Sequence, residues 1–208
     1  MQSVALIDYG SGNLRSAEKA LVKAADGRAE IVVTHDPETV AKADRLVLPG
    51  VGAFAACMSA LEARPGLIDA MAEAVTRRGA PFLGVCVGMQ LLAERGLEFG
   101  ATPGLGWIGG EVRRITPADP AAKVPHMGWN ALTDTAAHPI LSGAEPMYFT
   151  HSFAFFPDDP AHVLAQVDHG GKFTAAVAKD NVAGVQFHPE KSQGAGLSLL
   201  ARFLEWRP

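Results

Sequence analysis

Ala80-Pro81-Phe82-Leu83-Gly84-Val85-Cys86-Val87-Gly88-Met89-Gln90-Leu91-Leu92-Ala93-Glu94 is the stretch that decides the fold. The apolar run Ala80 to Leu83 predicts a strand, Gln90 to Glu94 predicts a helix, and between them one cysteine sits in Gly-x-Cys-x-Gly. A strand, a sharp turn and a helix meeting at a thiol make a candidate nucleophile elbow, the sulfur counterpart of the hydrolase Gly-x-Ser-x-Gly turn. Glycines on either side carry no Cβ, so strand and helix backbones can close on one another. The residue between them can then hold a strained conformation with its side chain raised above the sheet. A helix N-terminus favours thiolate over thiol and offers free amides to developing negative charge. Taken alone the string is weak, because a lone cysteine among apolar residues is more often a small buried hydrophobe.

What strengthens it lies downstream, in Gly184-Val185-Gln186-Phe187-His188-Pro189-Glu190-Lys191-Ser192. A cysteine nucleophile needs a base within reach and a group to orient that base. Of the seven histidines, His188 is the best placed. It ends an apolar run, and Pro189 interrupts the strand so that the ring can turn toward the elbow. In an extended segment residues two apart share a face, which would bring Glu190 to the far imidazole nitrogen; a surface ion pair fits the spacing equally well. His126, behind Pro125, and His151, between Thr150 and Ser152, read as structural histidines with satisfied hydrogen bonds. No compact histidine or cysteine spacing supports a zinc site.

Outward from the elbow, Val4 to Ile7 is continuously apolar and predicts a buried strand. It is followed by the loop Asp8-Tyr9-Gly10-Ser11-Gly12-Asn13 and a helix over Leu14 to Ala25, with Leu14, Ala17, Leu21 and Ala24 on one face. The two glycines suggest a dinucleotide site, but Arg15 stands where the third glycine belongs and no acid ends the second strand, Ile31 to His35. Asp44 to Leu48 predicts a third strand leading into Pro49-Gly50-Val51-Gly52-Ala53-Phe54, a tight turn that could cap a helix or present an amide to an oxyanion. Cys57, beside Ala55, Ala56 and Met58, reads as a packing residue. A helix over Leu67 to Arg78 stops at Gly79.

This alternation of strands and helices with short connections predicts an α/β fold, a mostly parallel central sheet with helices on both faces. After Gly96 come the glycine-rich Gly104 to Gly110 and shorter strand candidates: Glu111 to Ile115, Trp129 to Leu132, Met147 to Phe153, His162 to Val167, Phe173 to Ala178 and Ala183 to Phe187. Lys179-Asp180-Asn181 predicts a hairpin turn, so the C-terminal half should be β-rich and partly antiparallel. A final helix is expected from Gly196 to Trp206. No linker divides the 208 residues, which read as one domain.

Composition narrows the function. With 48% hydrophobic and 19% charged residues the chain is globular rather than disordered. A net charge of −4 without a basic stripe argues against nucleic acid. Two cysteines and no signal-peptide or membrane-length apolar run point to a reducing, cytoplasmic setting.

Together Gly84 to Gln90, Asp8-Tyr9-Gly10-x-Gly12-Asn13-Leu14, Pro49 to Phe54, Lys123-Val124-Pro125-His126-Met127-Gly128-Trp129-Asn130 and His188 to Ser192 resemble the triad (class I) glutamine amidotransferases. Within that family they are similar to the glutaminase subunits of imidazole glycerol phosphate synthase, over essentially the whole chain. The resemblance implies a three-layer amidotransferase domain spanning 1–208. It implies Cys86 as the nucleophile that forms a glutamyl thioester, His188 as general base and acid, and Glu190 as its orienting partner. It implies oxyanion amides from Val87 and from the Gly50-Val51-Gly52 strand, the latter after a peptide flip, and a glutamine pocket lined by Gln90. Met127, Gly128, Trp129, Asn130, Tyr148 and Lys191 would face a cyclase subunit that takes up the ammonia. No metal or organic cofactor is expected. Val87 stands where leucine is commoner; Thr150 and Phe153 replace the usual valine and tyrosine. Other triad glutaminases, an elbow-cysteine hydrolase and a non-catalytic binding subunit are the alternatives. The Lys123 to Asn130 block speaks against the first, and Gln90 with His188-x-Glu190 against the second. The intact Cys86, His188 and Glu190 speak against the third.

Overall fold

Val4–Ile7, Arg45–Gly50, Phe82–Cys86 and Val182–Val185 are buried along their whole length. Strands with no solvent face must lie inside a sheet covered on both sides, and these four form its centre. The computed structural model describes residues 1–208. Its first half is β1 (Gln2–Ile7), α1 (Leu14–Ala25), β2 (Ala29–Thr34), α2 (Pro37–Lys42), β3 (Arg45–Gly50), α3 (Phe54–Glu62), α4 (Leu67–Ala72), β4 (Phe82–Cys86) and α5 (Val87–Gln90). The second half is β5 (Arg95–Gly96), β6 (Thr102–Pro103), β7 (Gly110–Arg114), β8 (His126–Thr133), β9 (Pro146–His151), β10 (Phe153–Pro157), β11 (Val163–Asp168), β12 (Lys172–Lys179), β13 (Val182–Val185) and α6 (Gln193–Glu205).

A nine-stranded sheet runs β2-β1-β3-β4-β13-β12-β11-β8-β9. Pairings from β2 across to β13 are parallel; those from β13 to β9 are antiparallel. A second, four-stranded sheet runs β10-β7-β5-β6. With the right-handed crossovers that parallel strands adopt, the strand order sets α1 on one face of the large sheet and α2 to α4 on the other; α1 packs on α6 and α2 on α4. Burial joins 59 residues into one continuous core. No helix is long and apolar enough to cross a membrane.

Several expected elements differ. The helix after the elbow is a single turn, Val87–Gln90, rather than a run to Glu94. The glycine-rich segment ends it: Leu105, Ile108 and Gly106 N–H groups bond the carbonyls of Leu91, Leu92 and Ala93, at 2.8, 3.1 and 3.0 Å. Gly104 can lie there because a Cβ would collide with the Ala93 carbonyl. The predicted strand Met147 to Phe153 breaks at Ser152 into β9 and β10, one in each sheet. The tail of the helix predicted over Leu67 to Arg78 is a π-helical turn, Glu73–Arg77. The last helix starts at Gln193, three residues before the expected Gly196. Helix α2 was not foreseen; Asp36 caps it, accepting the Thr39 N–H at 2.9 Å.

Parallel strands deliver their C-terminal ends to one edge, where ligands bind in open α/β sheets. Here that edge collects the loops after β1 and β3, the elbow after β4 and the turn after β13. In register, Gly50 pairs with Cys86 and Val185 with Val85.

Candidate active site

Cys86 has φ 55° and ψ −113°, a left-handed conformation rare for any residue with a side chain. Close approach on both sides explains how it is held. A Cβ on Gly88 would collide with the Leu48 carbonyl, and one on Gly50 would lie 2.7 Å from Gly88 N. The glycines therefore let β3, β4 and α5 meet, and the elbow predicted from Gly84 to Gln90 is present. Because α5 is one turn long, the axial dipole there is small; the amides of Val87 and its neighbours remain.

His188 and Glu190 are brought together by a 3₁₀ turn, Pro189–Lys191, rather than by an extended segment. His188 Nδ1 lies 2.9 Å from Glu190 Oε1, and both side chains are buried, so a surface ion pair does not describe them. Ser192 locks this turn: its Oγ donates to the His188 carbonyl at 2.7 Å and accepts the Tyr148 N–H at 3.0 Å. The His188 N–H also bonds the Tyr148 carbonyl at 2.9 Å. Burial works against charge on the ring, but Cys86 and Glu190 outweigh it and push the His188 pKa up to about 9. Nε2 has no partner of good hydrogen-bond geometry, while its interaction with Cys86 still raises the pKa. Such contacts are often long before substrate arrives.

Cys86, Val87, Gln90, Val51, Gly52, His188 and Lys191 line one cleft of about 480 Å³, with Glu98 and Pro125 on its wall. Val51 is turned toward the first loop. Its carbonyl accepts from Ser11 Oγ at 2.8 Å and from Cys57 Sγ at 3.4 Å, and its N–H donates to Ser11 Oγ at 3.4 Å. Tyr9, whose phenol burial holds protonated, donates to the Pro49 carbonyl at 2.7 Å. The loop of Tyr9 and Ser11 thus supports the Pro49–Gly52 strand, and Cys57 does more than pack. Gly52 has φ +95°.

A glutamine amidotransferase class-I family model matches residues 5–206. The chain belongs to the class-I glutamine amidotransferase family. It is 63% identical to the imidazole glycerol phosphate synthase subunit HisH of Caulobacter vibrioides, over 100% of both chains. It is 60% identical to the subunit of that name from Rhodospirillum rubrum, over 99% of each. A solved glutamine amidotransferase structure superposes with a TM-score of 0.72 at 20% identity, covering 97% of each chain, a likeness of fold.

In this amidotransferase the other expected residues fall into two groups. Met127 and Trp129 project from β8 with 62% and 49% of their surfaces exposed. Trp129 meets Tyr148 edge-on at 6.0 Å, and Lys191 Nζ lies 5.9 Å from the Tyr148 ring. Gly128 lies between, at φ +130°. Asn130 instead turns inward, its Nδ2 2.8 Å from the Asp168 carbonyl and 3.2 Å from His126 Nε2.

His126 and His151 are satisfied structural histidines, as expected, joined Nδ1 to Nε2 at 3.0 Å. Burial first, then neighbouring histidines, lowers the His126 pKa to about 4; for His151 burial outweighs its bond to the Phe153 carbonyl, also to about 4. No group of three or more His, Cys, Asp or Glu side chains is placed to hold a metal ion. Sequence reasoning missed Glu98, Ser11 and Gln186. Glu98 bonds the Phe54 N–H at 2.9 Å from the loop after the elbow; nothing in its spacing marks it. Gln186 was visible two residues before His188 but was passed over as part of a strand.

Proposed function

We propose that Cys86, His188 and Glu190 form the catalytic triad of a glutaminase domain spanning residues 1–208. The chain hydrolyses glutamine to glutamate and ammonia by cysteine-based catalysis and supplies the ammonia for histidine biosynthesis. The observation that carries the triad is the strained Cys86 lining one cleft with His188, whose ring the buried Glu190 holds from behind. Cys86 as thiolate attacks the side-chain amide carbon of glutamine, and the carbonyl becomes an oxyanion. Imidazolium His188 passes its Nε2 proton to the leaving nitrogen as the C–N bond breaks, leaving a thioester. Neutral His188 then takes a proton from water, whose oxygen attacks the thioester and releases glutamate and the thiolate. Gln90 and Glu98 supply polar groups for the substrate's amino-acid end; a carboxylate there suits an ammonium.

The oxyanion is met by the Val87 amide and, once the strand is released, by amides of Val51 or Gly52, with Gly50 giving the strand close access. The Val51 N–H committed to Ser11 supports a site held back at rest. The exposed Met127–Trp129 ridge, with Tyr148 and Lys191, supports docking of a cyclase subunit, as in an imidazole glycerol phosphate synthase. The free Cys57 and Cys86 suit a reducing cytoplasmic setting.

A glutamine-analogue electrophile should label Cys86 and spare Cys57. Cys86→Ala should abolish glutamine-dependent synthesis by the cyclase complex while added ammonium restores it. Peptide mapping that finds the label on Cys57, or a Cys86→Ala chain that still releases glutamate, would overturn the assignment.

A further inference from the structure

Gln186 follows β13 directly, is fully buried, and carries its Nε2 3.8 Å from Cys86 Sγ. Which end of a glutamine amide faces a neighbour is usually an assignment from the surrounding hydrogen bonds. Here those bonds leave one answer. The Phe153 carbonyl can only accept, and it takes Gln90 Nε2 at 3.0 Å and His151 Nδ1 at 2.9 Å. The second hydrogen on Gln90 Nε2 goes to Gln186 Oε1 at 2.9 Å. With its oxygen so occupied, Gln186 must turn its NH₂ group to the sulfur.

The same constraint continues away from the thiol. His151, with Nδ1 protonated, offers Nε2 to the His126 Nδ1–H at 3.0 Å; His126 Nε2 then accepts from Asn130. Both hydrogens of Asn130 Nδ2 are used, the other on the Asp168 carbonyl. No link in this chain can be reversed without setting two donors or two acceptors against each other.

Resting on the glutaminase reading above, we propose that Gln186 is a further catalytic residue, an uncharged donor held against the Cys86 sulfur by Gln90 and the Phe153 carbonyl. Its N–H steadies the thiolate before attack and after each thioester is hydrolysed, while His188 serves the sulfur as proton partner. Hydrogen bonds to a charged acceptor are about twice as strong as neutral ones. A second cation at this position would over-stabilise the sulfur, since nucleophilicity falls as a thiolate becomes less basic. An amide steadies charge while lowering basicity less, so less nucleophilicity is lost. Gln90 then has two tasks, because its own Oε1 takes no protein hydrogen bond and stays available to the cleft.

The test reads the thiol directly. The isolated full chain is alkylated with iodoacetamide across a pH series, and modification of Cys86 is followed by peptide mapping. In Gln186→Leu the midpoint of the profile should move up by about one pH unit. Gln186→Glu, which keeps the volume and the Gln90 bond but sets a carboxylate toward sulfur, should move it further. In the assembled enzyme Gln186→Leu should lose about tenfold in kcat with KM changed less than about twofold, as expected for a group that acts on the nucleophile. A Gln186→Leu chain with wild-type circular dichroism and an unmoved alkylation midpoint would overturn the proposal. Should that variant fail to fold, an unmoved midpoint in Gln186→Glu overturns it instead. A wild-type chain that a glutamine-analogue electrophile labels at Cys57 rather than Cys86 would refute the glutaminase reading itself, a separate outcome.

Discussion

A single side chain, Glu190, shows how much of the site's chemistry depends on one contact. The carboxylate at His188 Nδ1 orients the ring and helps hold the imidazolium against the cost of burial. Removing its charge in Glu190→Gln should lower the His188 pKa, so the alkaline limb of kcat/KM, near pH 9 in the wild type, should move down. Turnover should fall, but less than the roughly 100- to 10,000-fold expected on losing the proton-transfer group in His188→Ala. Stability follows the same sign. A histidine raised from 6.5 to about 9 stabilises the fold fully below about pH 6.5, and that contribution fades as pH rises through about 9. Wild type and Glu190→Gln should therefore differ more in denaturation midpoint at pH 6 than at pH 10. A Glu190→Gln enzyme slower than His188→Ala, or with an unmoved alkaline limb, would reverse these roles.

At the scale of elements, the Pro49–Gly52 strand end is tied to the loop after β1 by Ser11 and Tyr9, and to α3 by Cys57. These bonds occupy the polar groups of Val51 on the side of the strand facing that loop. Ser11→Ala removes the shortest hydrogen bond on the Val51 carbonyl and the partner of its N–H. One such bond is worth about 1 kcal/mol, roughly fivefold in an equilibrium. Glutamate release by the isolated chain should rise by about that factor, while the rate with the cyclase subunit bound should change little. An isolated rate that stays the same or falls would remove Ser11 from control of the strand. Gly52 belongs to the same element: at φ +95° it holds a conformation that other residues adopt only under strain, although a Cβ there would meet nothing.

Over the whole molecule, adjoining large apolar groups left in solvent are where a partner would cover the surface. Trp129 and Met127 are the exposed residues of a ridge whose inner neighbour, Asn130, begins the hydrogen-bonded chain toward the cleft. Trp129→Ala should weaken binding of the cyclase subunit by at least about 30-fold, the loss typical of an interfacial tryptophan anchor. Labelling of Cys86 in the isolated chain should be unchanged. Titration calorimetry measures the first and peptide mapping the second; full affinity in the variant would place the interface elsewhere.

The sequence by itself determined the elements whose cause is local. Continuous apolar runs marked β1, β3 and β4, helical spacing marked α1, and Gly-x-Cys-x-Gly marked the elbow, because burial, amphipathic spacing and the absence of a Cβ all act over a few residues. His188 and Glu190 were visible as a pair for the same reason. Only the tertiary structure decided what depends on contacts between distant segments. The helix after the elbow stops after one turn because carbonyls of Leu91, Leu92 and Ala93 bond the glycine-rich loop instead of continuing the helix. Ser152 became a break because the chain there passes from one sheet to the other. Gln186 acquired its place against Cys86, 100 positions away, because β13 lies parallel to β4 in register. Hydrogen bonds that cross such distances leave no periodicity in a sequence, and packing alone chooses among the partners that local chemistry allows.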